Sequence, residues 1–140
     1  MLNSLDEVFD RIRMLEHYDN PNVFIRSIGS RGSKGGLAEN ISFSGDILDA
    51  AGFDVIIFET VGVGQAEHDI ISAADLIIVV LVPESGDEVQ LMKAGLIEIA
   101  DLFIVNKSDR AGANRLTSQL KNILHFFIKK DMEQPEVYNT

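Results

Sequence analysis

Asp54-Val55-Ile56-Ile57-Phe58-Glu59-Thr60-Val61-Gly62-Val63-Gly64-Gln65 runs from an unbroken apolar block into an acid and then two spaced glycines. Val55 to Phe58 show no apolar/polar alternation, so the pattern predicts a strand covered on both faces, as in a parallel sheet flanked by helices. Glu59 then falls at the carboxyl end of that strand, where open α/β sheets place their ligands. Gly62 and Gly64 permit dihedrals and close approaches that suit main-chain N–H groups turned toward an anion. Taken alone, the stretch reads equally well as an ordinary strand followed by a turn.

Two further apolar runs of the same kind lie downstream, at residues 76–82 and 102–105. Between and around them the periodicity changes to that of helices. Residues 37–51 predict a helix stopped at Gly52, where glycine can take the left-handed C-terminal conformation. A short helix is expected at 66–73, opened by Glu67 and Asp69 where acids favour the helix N-terminus. Val89, Met92, Leu96 and Ile99 form one stripe after a turn at 84–88, and Leu116, Leu120, Ile123, Leu124 and Phe127 share a face of a helix over 113–129. Upstream, Leu2, Leu5, Phe9 and Ile12 predict an amphipathic helix over 2–16, followed by turn chemistry at 18–22 and a short strand at 23–27. Residues 28–36 carry four glycines, two serines, Arg31 and Lys34, which predicts a loop, solvated or phosphate-facing. Residues 135–140 read as the beginning of another strand. Strands alternating with helices imply parallel βαβ units, hence an α/β fold with a doubly wound, three-layer, mostly parallel sheet.

Composition bounds what this fold can do. At 140 residues it is expected to be one domain, and 46% apolar content marks a globular chain. Twelve basic against 22 acidic residues give a net charge of −10, which argues against broad contact with nucleic-acid backbones. The absence of cysteine excludes disulfides, thiolate metal sites and cysteine nucleophiles. The run at 76–82 is far shorter than the ~20 residues of a membrane helix, so the expectation is a soluble, cytoplasmic protein with no membrane partner.

Asn106-Lys107-Ser108-Asp109 follows the third apolar run. A carboxylate fixed there can accept two parallel hydrogen bonds from the N1–H and exocyclic amine of guanine, a donor pair that adenine lacks. A lysine beside it can lay its methylene stem over the base, and an asparagine can tie the loop to its neighbours. In isolation such a tetrapeptide is a polar turn; after a third parallel strand it becomes a base-recognition loop.

With these motifs in place the chain closely resembles the MeaB/ArgK-type GTPases, within the P-loop metallochaperone GTPases that assist adenosylcobalamin-dependent acyl-CoA mutases such as methylmalonyl-CoA mutase. The resemblance runs through Asp10-Arg11-Ile12-Arg13-Met14, Phe24-Ile25-Arg26-Ser27, Ser30-Arg31-Gly32 with Gly35-Gly36-Leu37-Ala38, Glu59 to Gln65, Gly86-Asp87-Glu88-Val89-Gln90, and Ala100-Asp101 leading into Asn106 to Asp109. The Glu-Thr-Val-Gly-Val-Gly-Gln match is highly specific; the Asn-Lys-X-Asp match belongs to GTPases generally. The resemblance implies that Glu59 holds Mg²⁺ directly or through water, that the Gly62 N–H meets the γ-phosphate of GTP, and that Asp10 is a further carboxylate near the metal. Asn106, Lys107 and Asp109 would read the guanine of GTP or GDP, residues 26–36 would act as a switch, and the Gly86-Asp87-Glu88 loop would sense the mutase. Hydrolysis would then time cobalamin loading.

The sequence also departs from that pattern. No Gly-X-X-X-X-Gly-Lys-Ser/Thr occurs in the 140 residues, although that loop supplies the phosphate cradle, the phosphate-binding lysine and a Mg²⁺ hydroxyl ligand. Gly32-Ser33-Lys34-Gly35 does not replace it, lacking the strand before and the spacing. Smaller departures are Phe9, Ser33-Lys34 and Glu84. The expectation is therefore a P-loop NTPase-type sheet that is incomplete, its first strand and P-loop missing, in one partial GTPase domain over 1–140. The helical arm through which the family forms homodimers is expected to be missing too. Such a chain is expected to be inactive in hydrolysis. The alternatives are a non-catalytic module docking on the mutase, or a fragment of another metallochaperone-type GTPase such as a nickel-incorporation GTPase.

Overall fold

The computed structural model describes residues 14–17, 19–26, 36–59, 73–83, 95–127 and 134–140. The chain separates into two compact units, one comprising residues 1–60 with 68–73, the other residues 61–67 with 74–140. The architecture is α/β, with an open, all-parallel three-stranded sheet consistent with an incomplete P-loop NTPase-type fold. No helix among the described residues is long and apolar enough to cross a membrane.

The sheet lies in the second unit. Strands β1 (Ile78–Leu81), β2 (Leu102–Val105) and β3 (Glu136–Asn139) are ordered β1-β2-β3, with Ile78 level with Leu102 and Leu102 level with Glu136. Alternation along β2 sends Phe103 and Val105 to one face, and both are 0% exposed. A long amphipathic helix covers that face. It runs Ala113–Phe127 and spaces Leu116, Leu120 and Leu124 four apart on one stripe, all of them buried against the strand residues. Leu81, Ile97 and Ala100 complete the core, the last two from or just after a one-turn helix at Leu96–Ile99. In chain order these helices are α2 (Leu96–Ile99) and α3 (Ala113–Phe127), α1 being Gly36–Ala50 of the first unit. The strands at 102–105 and 136–139 and the helix over 113–127 match the sequence reading.

The expectation for residues 76–82 is corrected on one point. One face of β1 is covered, with Leu81 at 3% exposure, but Ile78 and Val80 on the opposite face are 46% and 54% exposed. The apolar run follows from a strand that needs neighbours on both sides and both faces. Among the described residues β1 pairs only with β2 and has no strand on its other edge.

Asp101 anchors the start of this sheet. Its Oδ2 accepts the Ile77 N–H at 2.8 Å while its own N–H donates to the Ile77 carbonyl at 2.9 Å. The side chain thereby closes the N–H just before β1, which would otherwise turn to water. Asp101→Ala is expected to lower stability by about 1 kcal/mol, and Asp101→Asn, which keeps an acceptor, by less. Urea unfolding of the three proteins checks this; an alanine variant with an unchanged midpoint would remove Asp101 from the account.

The first unit is built around α1. The helix ends as the glycine at its boundary requires: Gly52 adopts φ 88°, its N–H donates to the Asp49 carbonyl at 2.9 Å, and the Phe53 N–H reaches back to the Leu48 carbonyl at 3.2 Å. This pair of bonds is the Schellman closure. The turn sends the chain back along the helix, where Phe58 lies flush against Gly45: a Cβ built on Gly45 would stand 2.9 Å from the Phe58 Cζ. Phe24 and Phe53 stack at a tilt, centroids 6.4 Å apart.

Here the strand expected at 54–58 is corrected. Residues 55–59 belong to no ladder among the described residues, and Val55 and Ile57 are 74% and 83% exposed. The run has the composition of a central strand without hydrogen-bonded strand neighbours among the described residues, and alternate side chains are exposed. Residues 23–26 likewise belong to no strand, with the Val23 N–H closing a turn onto the Asn20 carbonyl at 3.1 Å and Phe24 58% exposed. Of the helix expected over 2–16, the described end is a 3₁₀ turn at Leu15–His17. The helix expected at 66–73 and the stripe residues Val89 and Met92 lie outside the described residues.

Candidate guanine-recognition loop

Residues 106–112 leave the carboxyl end of β2 and turn into α3. Three features of the sequence bend the chain here. Lys107 takes the left-handed conformation, φ 58°, and the Asn106 Oδ1 accepts the Lys107 N–H at 2.7 Å, a local side-chain bond of the kind that makes asparagine a turn former. Arg110 donates its N–H to the Lys107 carbonyl at 3.0 Å, closing a turn over Lys107 to Arg110. Gly112, at φ 97°, reverses the chain into α3, and its carbonyl receives the first long helical bond, from the Leu116 N–H at 2.9 Å.

Both neighbouring strands hold this loop. The Asn106 N–H donates to the Leu81 carbonyl at the end of β1, 2.9 Å away. The Ser108 N–H donates to the Thr140 carbonyl just past β3 at 2.8 Å, and the Thr140 N–H to the Val105 carbonyl at 3.0 Å. Thr140 Oγ1 also stands 3.4 Å from the Asn106 Oδ1. Asn106, Lys107 and Asp109 are all exposed. The result is a main chain hydrogen-bonded on both sides, with three polar side chains exposed at the carboxyl ends of parallel strands, the position that such sheets use for binding. Asp109 offers two acceptor oxygens and no donor, which matches paired N–H groups on one edge of a base.

Of the other expected site residues, only Glu59 is among the described ones. Glu59 ends the unpaired segment of the first unit and is exposed there. Asp10 and Gly62 lie outside the described residues, as do the Gly86-Asp87-Glu88 loop and most of the switch at 26–36. Sequence reasoning did not point to Thr140 or Thr117 as parts of the loop's surroundings. Threonines at the end of a strand and inside a helix carry no motif signal, and only the fold brings them to residues 106–109.

A parallel α/β sheet with an Asn-Lys-X-Asp loop at the end of its central strand defines a GTPase-type chain. The comparison with known families agrees: the description "Methylmalonyl Co-A mutase-associated GTPase MeaB" matches residues 8–140, and the chain belongs to that family. A protein of Pyrococcus horikoshii provisionally named a GTPase is 57% identical over 105 residues, which is 75% of this chain and 33% of the relative. One of Caulobacter vibrioides, provisionally named likewise, is 43% identical over 118 residues, 83% of this chain and 36% of the relative. The methylmalonic aciduria type A homolog, mitochondrial, of Caenorhabditis elegans is 36% identical over 132 residues, 91% of this chain and 33% of the relative. The chain thus spans about a third of the length of the curated relatives it matches.

Proposed function

We propose that this chain is the switch and guanine-recognition portion of a GTPase that assists an adenosylcobalamin-dependent acyl-CoA mutase, methylmalonyl-CoA mutase being the reference case. The observation that carries the reading is the Asn106-Lys107-Ser108-Asp109 loop, pinned by main-chain bonds to the ends of β1 and β3 with its carboxylate outward. Family membership supports the link to the mutase. In this reading Asp109 reads the N1–H and amine of guanine, the Lys107 stem covers the base, and Asn106 ties the loop together. A cytoplasmic location belongs to the same reading, in keeping with the bacterial and archaeal relatives.

Mg²⁺, held by Glu59, would supply charge neutralisation at the phosphates of a bound nucleotide. Glu59 fits its chemistry, being a hard oxygen ligand left exposed, and Mg²⁺ at nucleotide sites takes one or two carboxylates with water and phosphate. Asp10 would be a second carboxylate beside the metal, and Gly62 would offer its N–H to the γ-phosphate.

The 140 residues contain no Gly-X-X-X-X-Gly-Lys-Ser/Thr, and this favours a second role for them taken alone, as a docking module without turnover. Removing one preorganised electrostatic group commonly lowers turnover by about 10²- to 10³-fold, and here several are absent together. The test is to add GTP and Mg²⁺ to the chain with and without the mutase and to measure phosphate release and complex formation. The expected result is mutase binding with no turnover above background. Turnover comparable to a full-length relative, or no association with the mutase, would contradict the reading.

A further inference from the structure

We infer that Thr117, acting through Asn139, is a positioning residue for the guanine-recognition loop; the inference rests on the base-recognition role proposed above. The loop is held from two sides that differ in strength. On the β1 side the Asn106 N–H meets the Leu81 carbonyl, and Leu81 is 3% exposed and in ladder register with Val105. That anchor is fixed by core packing. On the other side the Ser108 N–H meets the carbonyl of Thr140, one residue beyond the last ladder pair, Val105 with Asn139. β3 is the outer strand of the sheet, four residues long, and only Val137 and Pro135 at its start are even partly buried. A short edge strand of this kind opens from its end at low free energy. When its last residues lift, the Thr140 carbonyl leaves Ser108 and its hydroxyl leaves Asn106.

Thr117 opposes that opening. It sits in the second turn of α3, whose Ala113, Leu116 and Leu120 are locked in the core, and its Oγ1 lies 2.9 Å from the Asn139 Oδ1. The same hydroxyl lies 3.0 Å from the Ala113 carbonyl. It carries one proton and two lone pairs, so it can donate to Asn139, or donate to Ala113 and accept from the Asn139 amide turned over. Either arrangement ties the tip of β3 to the best-packed helix of the unit. The tie reaches Ser108 and Asn106 through Thr140, while Thr117 itself need not touch a nucleotide.

The test uses the 140-residue chain and four variants: Thr117→Val, which keeps the shape and removes the hydroxyl; Thr117→Ser, which restores it; Asn139→Ala; and the double variant Thr117→Val/Asn139→Ala. Amide hydrogen exchange is measured at Ser108 and at the β2 residues, and binding by titration with GDP and ADP. Thr117→Val and Asn139→Ala are each expected to speed Ser108 exchange about threefold to tenfold, the size of one exposed hydrogen bond, with β2 exchange unchanged. Both should weaken GDP about threefold without weakening ADP, Thr117→Ser should behave as the parent, and the double variant should match the singles. Ser108 exchange that does not respond, failure of serine to rescue, or additive single effects would overturn the inference. If the parent gives no preference for GDP over ADP, the base-recognition role fails, and the exchange data still decide whether Thr117 sets the loop.

Discussion

Asp109→Asn is expected to weaken GTP and GDP about 10- to 100-fold and to turn the preference toward xanthine nucleotides. The carboxylate presents two acceptors to guanine's two donors. An asparagine presents one acceptor and one donor, so its amide N–H₂ meets the guanine amine and leaves one pair of polar groups unsatisfied, at about 1–3 kcal/mol. Every 1.4 kcal/mol is about a tenfold change in affinity. Xanthine carries a carbonyl where guanine has the amine, and so restores the match. The loop geometry makes the exchange local: the turn is set by Asn106, Lys107 and Gly112 and by main-chain bonds to Leu81 and Thr140, none of which uses the Asp109 side chain. Titration of parent and variant with GTP and XTP reads the result, and equal behaviour of the two proteins would withdraw Asp109 from base recognition.

A second large effect is expected in solution behaviour. Val80 and Ile78 are about half exposed on a strand with no partner on its outer edge among the described residues, and Val55 and Ile57 stand exposed on an unpaired segment of the other unit. Unpaired apolar strands template association with other chains. Each unsatisfied main-chain group that becomes buried costs about 1–3 kcal/mol, against a whole-domain stability of about 5–15 kcal/mol. The 140 residues alone should therefore associate with rising concentration and melt broadly, and Val80→Lys, which charges the exposed face of an edge strand, should reduce the association. Light scattering and thermal melts check this. A monodisperse monomer with a sharp cooperative melt would show that the exposed strands carry no such liability.

The parts of the fold that can be read from the sequence are those whose neighbours lie close in the chain. The stripe Leu116, Leu120, Leu124 and the run Leu102 to Val105 pack on each other, and both were legible from periodicity alone. Gly52 closes α1 as its position suggests, because a helix end is a local event. Val55 to Phe58 have the composition of a central strand, yet whether such a run is buried depends on strands that pattern does not supply. The Asn106 to Asp109 loop was legible as a motif, since its chemistry resides in adjacent side chains. Its supports at Thr140 and Thr117 were not, because each lies across the sheet or on a helix and is joined to the loop only by folding.

Guanine recognition by residues 106–109 is open to direct measurement. Backbone amide NMR of the ¹⁵N-labelled chain, titrated with GDP and in parallel with ADP, tests it residue by residue. Saturable GDP shifts are expected, concentrated at Asn106, Lys107, Ser108 and Asp109 and absent with ADP. Shifts of equal size with both nucleotides, or GDP shifts that leave these four residues unmoved, would contradict it.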